Sequence, residues 1–69
     1  MALSARNHLP GIIDEIVVGD VLVHVTVRVG ANTIESVITK RSAQEMGLKK
    51  GDAVTAVVKA TEVMLSKGA

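Results

Sequence analysis

The chain lacks cysteine, lacks Phe, Trp and Tyr, and has a single proline, Pro10, in 69 residues. Without thiols there is no disulfide framework, no thiolate metal site and no cysteine nucleophile, and the redox compartment stays open. Without aromatic rings there is no stacking platform for unpaired bases, which removes the usual means by which a small barrel holds single-stranded nucleic acid. Charge of one sign is also missing: eight Lys and Arg against seven Asp and Glu give a formal net charge of +1. That is too little for general affinity to a phosphate backbone, so no nucleic-acid partner is expected. No apolar run approaches the roughly 18 residues that cross a bilayer, and no basic stretch leads into a long apolar one near the start. The expectation is a cytoplasmic chain with no membrane partner.

What the chain has is small aliphatic bulk. Apolar residues make up 48%, and they are mostly twelve Val, eight Ala, five Ile and five Leu. A chain of this size forms one domain, expected over residues 1–69, and buries only about 60% of the surface its unfolded form exposes. So much aliphatic surface on so thin a core calls for other copies of the same chain, and an obligate homo-oligomer is expected.

The strongest local signal runs from Asp20 to Val29, where Val21, Val23, Val25, Val27 and Val29 alternate with Leu22, His24, Thr26 and Arg28. Period two over that length predicts a strand. Gly30-Ala31-Asn32 has turn chemistry, and Thr33–Thr39 is again rich in β-branched residues, so a hairpin follows. Gly11–Val18 supplies an earlier strand, and Ala53–Leu65 one long strand or two short ones, with a frayed tail at Ser66–Ala69. The single helix is predicted over Lys40–Met46, with Thr39 as N-cap and Gly47 as stop, or starting a turn later from a Ser42–Glu45 capping box. Ala43 and Met46 are expected to face the core. The fold class is all-β: a five-stranded barrel of the OB type with one short helix.

Three segments carry chemistry. Ser4-Ala5-Arg6-Asn7 and Lys59-Ala60-Thr61 offer hydroxyls, backbone N–H groups and two cations, with no carboxylate among them. Thr39 and Ser42 add hydroxyls at a helix start, where free amides and the helix dipole favour negative charge. A set made only of donors and positive charge suits a fully deprotonated oxyanion. Hydrogen phosphate carries a proton near neutral pH that needs an acceptor, and the set offers no carboxylate for it. Sulfate is not rejected in that way, so pocket size must discriminate against it. Singly, each residue has a plainer explanation: Arg6 as a solvated cation, Thr39 and Ser42 as helix caps, Lys59 as a guard on an edge strand. No nucleophile motif is present and Asp14-Glu15 reads as a solvated pair, so no catalytic residue and no enzyme activity are expected. His8 and His24 read as surface residues without a metal to hold, and Met46 and Met64 as core filling.

The ordered pattern Ser4-Ala5-Arg6-Asn7, Leu9, Gly11, Ile38-Thr39, Ser42-Ala43, Gly47-Leu48, Gly51 and Lys59-Ala60-Thr61 resembles the molbindins. These are small molybdate-binding proteins of the Mop or TOBE type, whose domain also occurs in molybdate-responsive regulators and in the molybdate transporter's ATPase. The resemblance covers essentially the whole chain. It implies OB-like barrels that swap strands and assemble as a hexamer of three dimers, with molybdate or tungstate held between subunits and no prosthetic group. Carried over by position, Ser4, Ala5, Arg6 and Asn7 would line the site from one subunit, and Thr39, Ser42, Lys59, Ala60 and Thr61 from another, with no direct protein–metal ligand. His8 and Pro10 depart from the family pattern and bear on a second site near the threefold axis. The implied role is storage and buffering of the oxyanion. The alternative is a swapped-hairpin barrel transcription regulator that binds DNA, suggested by Ile38–Ser42 and Gly47–Asp52; the Ser-Ala-Arg-Asn motif and the low net charge stand against it.

Overall fold

The computed structural model describes residues 4–68. In chain order it contains β1 (Asn7–Val18), β2 (Leu22–Val29), β3 (Asn32–Thr39), α1 (Lys40–Met46), β4 (Ala53–Val58) and a short 3-10 turn over Ala60–Glu62. The strands form one antiparallel sheet in the order β3-β2-β1-β4. Alternation in β2 sorts as its sequence predicts: Val23, Val25 and Val27 are buried, while Leu22 and Arg28 are exposed and His24 and Thr26 half-buried. With Ile13 these valines form the core, on which Ile16, Val29, Ile38, Ala43, Leu48 and Val54 pack from the margins.

Ile13 is the hub. Its side chain is 1% exposed, and its main chain bonds to the turn before β4 through Ile13 N–H to Asp52 O at 2.9 Å and Gly51 N–H to Ile13 O at 2.8 Å. That tie coincides with a register shift between Ile13 and Glu15 in the β1–β2 ladder. The extra residue bends β1 there, as bulges do, and β1 can then serve β4 with its first half and β2 with its second. Pro10 sits in the first half, ahead of the β2 ladder, where a strand with one partner tolerates a missing N–H.

Two expectations about strands change. β1 begins at Asn7, four residues before the predicted Gly11, because Asn7–Ile12 pairs with the distant Ala53–Val58; Pro10 and Gly11 mask that partnership in the sequence. The fold has four strands among the described residues, against the five predicted. After Val58 the chain leaves the sheet, and Glu62 N–H closes a turn on Lys59 O at 2.9 Å, so Thr61–Leu65 does not extend or add a strand. β3 and β4 remain unpaired edges of a curled sheet. Between them lies a groove of about 270 Å³, lined by Val25, Ile34, Ile38, Met46, Leu48 and Val54 among others.

The helix starts at the first of the two predicted positions. Ser42 N–H donates to Thr39 Oγ1 at 3.1 Å, so Ser42 lies inside the first turn and does not cap. The stop at Gly47 holds, with φ 61° and ψ 39° in the left-handed region, where a Cβ is unwelcome. Leu48 N–H then bonds back to Ala43 O at 3.2 Å, which folds Leu48 onto the core beside Ala43. Leu48 takes the place expected for Met46, which stays exposed, as does Met64 at 92%. Among the described residues five apolar side chains are buried, whereas eleven large ones stay exposed, among them Val17, Val18, Val21 and Leu22 around the β1–β2 connection. A single protomer does not cover its own aliphatic surface.

Candidate oxyanion-binding site

The last rung of the β1–β4 ladder pairs Asn7 with Val58. The next residues outward on the two strands are Arg6 and Lys59, so the ladder brings the two cations to one end of the sheet within one chain. Both are exposed. The ion pairs among the described residues are His24 with Glu35 at 2.9 Å and Arg41 with Glu45 at 3.1 Å, which leaves the charges of Arg6 and Lys59 uncompensated by a carboxylate there.

Lys59 is not a strand residue as predicted. It precedes the 3-10 turn with φ −65° and ψ 139°, and the turn uses the amides of Glu62 and Val63, bonded to Lys59 O at 2.9 Å and Ala60 O at 3.3 Å. The turn's own closure leaves the amides of Ala60 and Thr61 unspent, as the central residues of an i to i+3 turn are. The expected alternation that would align Lys59 with Thr61 on one strand face gives way to this turn. Glu62 follows in it as an exposed acid, one carboxylate closer than the motif alone suggests.

The N-terminal motif is not uniform. Ser4 and Arg6 are exposed, while Ala5 is 9% exposed and belongs to the buried set. Asn7 is half-buried and its Nδ2 donates to Val58 O at 3.1 Å. His8, to which the sequence assigned no role, places Nε2 at 3.1 Å from Ala5 O. A carbonyl only accepts, so this nitrogen carries the proton. No sequence pattern announces that bond, because it exists only when the chain bends back at residues 4–6.

Thr39 and Ser42 lie elsewhere. Thr39 pairs with Leu22, at the end of the sheet where Val18 meets Val23. Eleven residue steps of β1, at roughly 3.3 Å each along the strand, separate that end from Asn7. The hydroxyls of Thr39 and Ser42 also bond each other, with Thr39 Oγ1 donating to Ser42 Oγ at 2.9 Å, so Ser42 keeps the hydroxyl proton free to point outward. Two first-turn amides are spent, Lys40 N–H on Val21 O and Ser42 N–H on Thr39 Oγ1. Within one chain, then, the structure brings Ser4, Arg6, Lys59 and Ala60 to one end and leaves Thr39 and Ser42 at the other. The resemblance groups Lys59 with Thr39 and Ser42 on one subunit; within the protomer Lys59 lies at the same end of the sheet as Arg6.

A family model described as the TOBE domain matches residues 3–65, nearly the whole chain and all of the elements above. The chain belongs to the TOBE domain family, as a molbindin. It is 42% identical over 66 residues to molybdenum-pterin-binding protein 2 of Clostridium pasteurianum, covering 94% of this chain and 97% of that protein. Among solved structures, a molybdate-binding protein of Sporomusa ovata superposes with a TM-score of 0.92 at 37% identity, over 97% of this chain and 100% of the other. The cytoplasmic molybdate-binding protein ModG, in a form with molybdate bound, superposes with a TM-score of 0.81 at 41% identity, over 87% of this chain and 43% of ModG. The curated relative is named for binding molybdenum-pterin and the two solved structures for binding molybdate. Among the described residues no group of three or more His, Cys, Asp or Glu gathers to hold a metal ion, and no helix is long and apolar enough to cross a membrane.

Proposed function

We propose that residues 1–69 form one TOBE domain that binds molybdate, and tungstate by the same chemistry, in the cytoplasm, and that it stores and buffers the oxyanion without catalysing a reaction. The observation that carries this is the placement of Arg6 and Lys59 just beyond the last rung of the β1–β4 ladder, Asn7 with Val58, without a carboxylate partner among the described residues. One guanidinium and one ammonium neutralise a dianion, and the hydroxyl of Ser4 with the amides of Ala60 and Thr61 supply neutral donors. Molybdenum enters as part of the oxyanion and needs no protein atom as a direct ligand. Release by mass action then supplies cofactor synthesis.

Thr39 and Ser42 join this set from a neighbouring protomer, since their own chain holds them at the far end of β1. The assembly is a homo-hexamer of three dimers, in which OB-type barrels are completed by exchanged strands. Support comes from the unpaired edges β3 and β4 and from the aliphatic surface left exposed on the protomer, both of which a second copy would cover. Native mass spectrometry with and without molybdate, with sulfate and phosphate as competitors, tests all of it at once. The expected spectrum shows hexamers carrying molybdate that phosphate does not displace. A folded monomer would overturn the assembly, and an absence of adducts, or equal displacement by phosphate, would overturn the ligand.

A further inference from the structure

The residues of the Ser4–Asn7 motif differ in burial and bonding. Successive residues of a strand point to opposite faces. Asn7 lies on the half-buried side and reaches across to Val58 O at 3.1 Å, the carbonyl just before Lys59. His8 lies on the exposed side and reaches back to Ala5 O at 3.1 Å. Ala5 itself is packed, at 9% exposure. The backbone is thus held from both faces within two residues of Arg6.

We propose that Asn7 and His8 are positioning residues, a brace that holds Ser4 and Arg6 against the Lys59 turn, while only Ser4 and Arg6 of this segment touch the anion. The bond from His8 acts on a particular peptide group. The carbonyl of Ala5 and the N–H of Arg6 belong to one planar trans unit and point in opposite directions. Anchoring the carbonyl therefore fixes the direction of the Arg6 N–H, and hydrogen bonding to the oxygen polarises that N–H as a donor. Asn7 does the complementary job on the other strand, fixing the main chain where Lys59 leaves β4. This deepens the molybdate reading and rests on it for the identity of the anion.

The test is calorimetry with sodium molybdate on the full chain and on His8→Leu, His8→Gln and Asn7→Ala, together with amide and imidazole nitrogen spectra of the ligand-free proteins. A single neutral hydrogen bond corresponds to a weakening of about two- to tenfold, expected for His8→Leu and for Asn7→Ala. His8→Gln retains an N–H at similar reach and should bind within about twofold of wild type. In the ligand-free state His8 should be protonated on Nε2, and the Arg6 amide signal should move in His8→Leu and return in His8→Gln. Unchanged binding in His8→Leu, equal loss in His8→Gln, or a neutral imidazole protonated on Nδ1 would each overturn the brace. If wild type binds no molybdate, the functional reading falls, and the ligand-free spectra still decide the brace.

Discussion

Replacing Gly11 by Ala probes a close approach of β1 to β2. A Cβ at Gly11 would stand 2.5 Å from Arg28 O, 2.8 Å from Val27 Cγ1 and 3.0 Å from Val29 Cγ2. Non-bonded carbon sits comfortably at about 3.5 Å or more, so β1 must retreat from β2 by roughly 1 Å. The valine methyl groups can rotate, but Arg28 O is main chain, and β2 is held on its other side by β3 through Arg28 with Thr33 and Val27 with Ile34. Overpacking of this kind costs about 1–3 kcal/mol, and the stiffer unfolded chain offsets roughly 0.4–1 kcal/mol of it. Because the clash is with main chain, the upper half of the overpacking range, about 2–3 kcal/mol, applies, and the net loss of about 1–2.6 kcal/mol lowers the melting temperature of a domain this size by roughly 4–20 °C. Thermal and urea unfolding followed by circular dichroism, at fixed protomer concentration, measure it. Gly47→Asn is the contrast: its φ of 61° meets open space, and Asn adopts that conformation at small cost. A Gly11→Ala variant as stable as wild type would refute the close approach.

Three further outcomes are expected. Ile13→Ala empties a fully buried position and should destabilise by about 2–5 kcal/mol in urea unfolding. Thr39→Ala removes the acceptor of Ser42 N–H and should cost about 0.5–2 kcal/mol, whereas Thr39→Ser keeps most of the cap; the same unfolding curves compare them. Lys59→Ala should weaken molybdate binding roughly ten- to a hundredfold by calorimetry, as loss of a charge-assisted bond does, and should shrink the rise in melting temperature that millimolar molybdate gives wild type.

The elements legible in the sequence are those specified by neighbours along the chain. The alternating valines Val23, Val25 and Val27, the turn expected over Gly30-Ala31-Asn32, Thr39 as N-cap and Gly47 as stop all depend on local periodicity or on one residue's conformational preference. They stand where the sequence put them, except that Asn32 opens β3 and β2 starts at Leu22, two residues after the expected Asp20. Misses arise where a distant partner decides. The strand expected from Gly11 leaves out Asn7–Pro10, yet β4 recruits that segment. Thr61–Leu65 reads well as a strand, yet the closing bond of the Lys59–Glu62 turn takes the chain out of the sheet first. Met46 has the right spacing for the core and loses the place to Leu48, which the Gly47 reversal delivers there. For the candidate site, donor chemistry was legible in residue type alone. The separate behaviour of Ala5, Asn7 and His8 was not, since it depends on hydrogen bonds to Val58 and across a bend.

By itself the sequence determined a small aliphatic β-rich domain with too little core for its surface, and a set of cations and hydroxyls whose chemistry suits an anion. Those follow from composition and spacing, which no folding changes. Only the tertiary structure decided that Arg6 and Lys59 share one end of the sheet while Thr39 and Ser42 occupy the other. The antiparallel register of β1 with β4 and β2 sets those positions, and register is fixed by which faces are buried together across the whole sheet.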